Sequence, residues 1–193
     1  MAHDLVAEGR RILAEGLPEP PARLSRRHRL VALAADVDGD AAAVYFARRG
    51  VSGQPCFELV LFEDHGGVWE SPGGSGGTAE EDLLADRPPA AALGAPLRWE
   101  GGGSCRSDLP RTRLPWYGLG RPSGHWLHHV QVRAAAEAGE VRVRGTRGER
   151  TLVVPRHGWL VVVWRGRAAP WLSAWSGDGV RIGPEVSVAS SGW

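Results

Sequence analysis

The stretch "GHWLHHVQVR", Gly124 to Arg133, decides how the chain is read. It carries three histidines within five residues. On a helix, His125 shares a face with His128 and His129, and a metal grip follows. On a strand, neighbouring side chains point to opposite faces. The residues after the histidines settle the period. Val130 and Val132 alternate with Gln131 and Arg133, which is a period of two. Trp126, His128, Val130 and Val132 then share one face, and Leu127, His129, Gln131 and Arg133 the other. His125 and His129 fall on one face but ~13 Å apart, at about 3.3 Å per residue. Three or four ligands must converge at about 2 Å to hold zinc, so no metal is expected here. The expectation is a core His128 and a solvent-facing His129.

Working outward, the same period recurs. "EVRVR", "TLVVP", "GWLVVVW" and "PWLSAW" read as strands, separated by the turn signals "PRHG" and "RGRAAP", and "SGDG" closes the series. Gly158 to Trp164 is apolar on both faces, as a central strand should be. Toward the N-terminus, "RLVALAADVDGDAAAVYFARR" is a hairpin around Asp38-Gly39. "CFELVLFEDHGGVWES" is a second, turning at Asp64 to Gly67. Leu5, Val6, Gly9, Ile12 and Leu13 recur at helical spacing, with Asp4 as a cap and Gly16 as a stop. Thr78 and Glu81 resemble a capping box, predicting a short helix near residues 79–86.

The fold expected is therefore mainly β, an antiparallel β-sandwich or partly closed barrel. An N-terminal amphipathic helix and one short internal helix accompany it. Residues 1–193 are read as one domain. Residues 1–28 form the helix and a Pro- and Arg-rich connector, and residues 29–193 form a β-rich body with an irregular region at 87–124.

Composition excludes some chemistry. The chain has neither lysine nor asparagine, and all 23 basic residues are arginine, a bias typical of a GC-rich bacterial genome. Without lysine there is no Schiff-base nucleophile and no P-loop lysine. No apolar run is long enough to span a bilayer, and the N-terminus has no secretory pattern. The expected location is cytoplasmic, with Cys56 and Cys105 as thiols.

Candidate sites are few. "GGSGG", Gly73 to Gly77, matches the G-x-S-x-G elbow in letters, making Ser75 a nucleophile candidate with His125 or His157 as base. The elbow belongs to parallel α/β sheets, and the surroundings read as a glycine loop instead. "ADVDGDA" spaces Asp36, Asp38 and Asp40 like a calcium loop. Ala41 and Ala47 stand where that loop needs glycine and glutamate, so a hairpin turn with solvated carboxylates is expected. Nine tryptophans suggest a platform for a sugar or other small ligand at Trp116, Tyr117, Trp171 and Trp175, with His128 nearby.

Charge is uneven. Residues 51–120 carry five Arg against ten Asp and Glu, net −5, and residues 121–167 carry nine Arg against three Glu, net +6. Arg142, Arg144, Arg147 and Arg150 cluster on one predicted hairpin, a patch for an acidic protein partner or for self-association. No nucleic-acid motif accompanies it. The reading is a non-catalytic interaction or ligand-sensing module without a cofactor. A Trp-based ligand binder and a Ser75 hydrolase are the alternatives.

Overall fold

The computed structural model describes residues 4–107 and 125–188, with the backbone alone for His125. The N-terminal helix, α1, runs Leu5–Glu15. Its start is fixed by the Asp4 carboxylate, which accepts the N–H groups of Val6 and Ala7 at 3.1 and 3.0 Å.

Four strands follow as a meander: β1 (Leu30–Asp38), β2 (Ala41–Arg49), β3 (Pro55–Asp64) and β4 (Trp69–Thr78). They pair antiparallel in chain order as the first sheet. The remaining elements are α2 (Ala90–Leu93), β5 (Leu97–Ser107), β6 (His125–Ala134), β7 (Glu140–Gly145), β8 (Gly148–Val153), β9 (Trp159–Arg165), β10 (Trp171–Trp175) and β11 (Arg181–Ser187). The second sheet is ordered β5-β6-β9 and the third β11-β10-β7-β8. All pairings are antiparallel.

The expected sandwich thus has three sheets, and the second is the filling. Its β9 is buried along Trp159 to Trp164. Trp159, Val161 and Val163 pack with Leu33, Tyr45, Leu59 and Leu61 of the first sheet. Leu160, Val162 and Trp164 pack with Val141, Val143 and Leu172 of the third. The outer face of the first sheet is covered by Leu5, Ile12 and Leu13 of α1, resting on Val44, Phe46 and Phe62. Each fully buried aliphatic side chain contributes about 1.5–3 kcal/mol.

Several local expectations change. The short internal helix is displaced to Ala90–Leu93. Residues 79–86 form turns, because Thr78 is spent in β4 and Asp82 turns back on the Leu84 N–H at 3.0 Å. The glycine tract 73–77 is a strand, not a loop, paired with Phe57 to Leu61. A second tract, Gly101 to Gly103, lies in β5. There the missing side chains make room. A Cβ at Gly101 would stand 2.6 Å from Gln131 Oε1, and one at Gly103 would stand 3.1 Å from His129 Cε1. β11 continues the series past "SGDG". It contains Gly183 and Pro184 and lies at the edge of its sheet, where proline is tolerated.

The alternation in β6 is as expected, but its burial is reversed. His129 is 4% exposed, whereas His128 is half-buried. The physical reason is that the second sheet is covered on both faces, so neither face of β6 is the solvent side.

Candidate functional site

The interface between the first and second sheets gathers most of the buried polar groups. His129, Gln131 and Arg133 of β6 point there, opposite Val163, Val161 and Trp159 of β9. At one end of this interface the two sheets part into a cleft of about 400 Å³. Its walls are Tyr45 of β2, Phe57 of β3 and Trp159 of β9. Arg98, Glu100 and Gln131 of the second sheet and Glu80 and Glu81 of the adjoining turn complete it. Tyr45 lies 6.1 Å from Phe57 and 5.8 Å from Trp159 between ring centroids, both tilted, as aromatic quadrupoles prefer. Arg98 and Glu100 form a 2.5 Å ion pair.

Arg133 lies against this wall. Its guanidinium sits 4.7 Å from the centre of the Trp159 ring, and Nη2 donates to the Ala85 carbonyl at 3.5 Å. The residue is 2% exposed, and Nε and Nη1 have no hydrogen-bond partner among the described residues. Burial pushes its pKa down, while Glu81 and Glu100 at the cleft counteract that. Burial likewise raises the Tyr45 phenol above its ordinary value. The Trp159 indole N–H is also buried without a partner among the described residues.

Further along the same interface two buried carboxylates, Asp36 and Glu63, are paired. Asp36 accepts two bonds from Arg150, at 2.8 and 2.6 Å, and one from the Val163 N–H at 2.8 Å. One carboxylate therefore joins β1, β8 and β9, a strand from each sheet. A bulge at Leu33 aims it inward: Leu33 and Ala34 both join the inner core, so Asp36 faces β9. Asp36 is 3% exposed, which corrects the expectation of solvated turn carboxylates. Glu63 accepts from Arg165 at 2.6 Å and from the Ser107 hydroxyl, with His65 Nε2 3.6 Å away. Serine, acid and histidine meet here, but the carboxylate stands in the middle and is neutralised by arginine. A nucleophilic triad needs the histidine in that place.

Ser75 lies on β4 opposite Leu59 and is exposed. No hydrogen bond joins it to a histidine among the described residues. His125 begins β6, opposite Ser107. His157 is 2% exposed in the turn before β9, and its Nδ1 accepts the Trp159 N–H at 3.1 Å. The three candidate catalytic residues therefore sit on separate elements. Among the described residues no group of three or more His, Cys, Asp or Glu is placed to hold a metal. The two cysteines do not form a disulfide.

Trp116 and Tyr117 lie outside the described residues. Trp171 is 43% exposed and faces outward on the third sheet with Trp175. The latter is capped by the Arg142 guanidinium at 3.7 Å, and its indole N–H donates to Ser173. His128 stacks on Trp164, with centroids 5.2 Å apart, and bonds Ser104 at 2.6 Å. It is not a core residue, which corrects that expectation. The arginine cluster is engaged within the chain. Arg142 pairs with Glu140, Arg144 with Glu185, Arg147 with Asp40 and Arg150 with Asp36.

Tyr45, Phe57, Glu81, Arg98, Glu100, Gln131, Arg133 and Trp159 were not named as site candidates from the sequence. The available signal was the two-faced apolar run of β9. A sheet covered on both sides buries polar residues of the neighbouring strand such as Gln131 and Arg133.

No family model, no curated protein and no solved structure matches this chain. No helix among the described residues is long and apolar enough to cross a membrane.

Proposed function

We propose that the protein is a non-catalytic ligand-binding module whose ligand occupies the cleft between the first and second sheets. The observation that carries this is the wall itself: three aromatic rings with Gln131 among them, and an incompletely bonded Arg133 behind Trp159. Ligand sites are concave and largely apolar, with few convergent polar groups. The lining holds Glu80, Glu81 and Glu100 against Arg98, so a flat ligand that is neutral or cationic suits it better than an anion. The arginine hairpin, being internally paired, offers less to an acidic partner than its sequence suggests.

Ligand-observed NMR with a fragment set of aromatic amines, neutral aromatics and aromatic acids tests this reading. Amines and neutral rings are expected to bind, and Phe57→Ala and Glu81→Gln are expected to weaken them. A set without hits, or hits indifferent to both substitutions, overturns it.

A further inference from the structure

A second groove, of about 380 Å³, is lined by a separate set of residues. Its walls are Leu17, Pro18 and Pro21 from the strap after α1, with Leu84, Val153 and Pro155 facing them. Leu17 and Val153 are 40% and 80% exposed, so an apolar surface lies open to water here. The volume falls within the range of small-molecule sites, about 300–1,000 Å³.

One buried polar side chain closes the wall: His157. Its chemistry is fixed by its neighbour. Nδ1 accepts the Trp159 N–H, so Nδ1 carries the lone pair and the neutral ring has its proton on Nε2. Nε2–H is therefore a donor. It is closed to bulk solvent and has no partner among the described residues, and buried donors left unmet are rare. The charges of Arg133 and Arg87 act on this ring, and with burial, the larger effect, they keep it neutral, its pKa near 4. The same positive field favours an anionic acceptor. Arg87 is itself half-buried, held by the Ala138 carbonyl with Glu137 nearby. The rest of the lining carries one carboxylate, Glu19, and one guanidinium, Arg156, which pairs with Asp86. The aromatic cleft holds three carboxylates and repels anions, so this groove is the better entrance for an acid.

We propose that this groove binds a small monocarboxylic acid, its hydrocarbon or aryl tail along the proline strap and its carboxylate drawn to the His157 end, where the side chains covering Nε2 part so that it accepts the Nε2–H. The occupant differs in charge from that of the aromatic cleft, and the two sites stand or fall separately.

Titration calorimetry with octanoate and 4-phenylbutyrate, against octanol and octylamine, tests the assignment. The acids are expected to bind about tenfold or more tighter than the alcohol, since a charge-assisted hydrogen bond is at stake. His157→Leu removes the donor and is expected to erase that preference while leaving octanol unchanged. Val153→Asp alters an exposed side chain, leaves the fold intact and is expected to weaken the acids alone by repulsion. In ¹H–¹⁵N spectra the His157 Nε2 proton is expected to move downfield on adding octanoate. Equal binding of acid and alcohol overturns the proposal. So does acid binding that survives Val153→Asp, or the absence of any binding.

Discussion

The two faces of the second sheet make opposite interiors from the same strands. Toward the third sheet, β6 and β9 present Val130, Val132, Leu160 and Val162, and the cluster formed there is apolar. Toward the first sheet they present His129, Gln131 and Arg133 beside Trp159, with Asp36 and Glu63 reaching in from the other side. Burying a polar group without full pairing costs free energy that burying valine does not. Both interfaces bury aliphatic side chains; the wholly apolar, dry one supplies stability alone, and the polar one, its wet counterpart, adds geometry: a cleft, an ion-pair clasp across three sheets and donors that lack acceptors. Both proposed sites adjoin the wet side.

That contrast can be broken most severely on the dry face. Val132→Asp buries an uncompensated charge and is expected to cost at least about 4 kcal/mol, leaving little folded protein by circular dichroism. The neighbouring Gln131→Leu, on the wet face above Gly101, is expected to stay within about 1.5 kcal/mol of the parent in urea melts. Equal losses from the two would end the distinction.

The next effect concerns the clasp. Asp36→Ala leaves Arg150 short of its main partner and is expected to cost about 3–5 kcal/mol. The double change Asp36→Ala with Arg150→Met is expected to recover part of that loss. A double variant no more stable than the single one contradicts the assignment.

Acid should then discriminate the faces. Burial lowers both His129 and His157 to a pKa of about 4, aided by His128 in the first case and by Arg133 and Arg87 in the second. Both are neutral when folded, so the unfolded chain binds more protons between about pH 6.5 and 4. Stability is full above that window and falls as pH drops through it, by roughly 3 kcal/mol for each histidine. Urea midpoints measured from pH 7 to 4 check the slope, and His129→Leu is expected to flatten it. Smallest of all is Arg144→Ala. Its pair with Glu185 lies on the surface, so the urea midpoint is expected not to move. A clear shift would mean that this arginine serves more than a solvated ion pair.

Much of the architecture was legible in the sequence because strand alternation and Asx-Gly turns are local signals. The hairpins at Asp38-Gly39 and Asp64 to Gly67, the N-terminal helix with its Asp4 cap and the central character of β9 were all readable. What failed was reading glycine as a breaker. Gly73 to Gly77 and Gly101 to Gly103 are strands, and in β5 the missing Cβ atoms leave space for Gln131 and His129. β11 was lost for the same reason, through Gly183 and Pro184. The cleft was illegible because its residues come from five strands and a turn, and only the layering brings them together. Gln131 and Arg133 look like a solvent face until a third layer is known to exist.

The Asp36 clasp also has a meaning in time. Its guanidinium lies 114 residues further along the chain, and the backbone donor of Val163 lies beyond that. The first sheet, a meander of neighbouring strands, is synthesised long before either partner emerges. Until then it displays a carboxylate on its edge strand, within the face that is later buried. That charge discourages the nascent sheet from sealing against the wrong companion, and it is silenced only when β8 and β9 arrive.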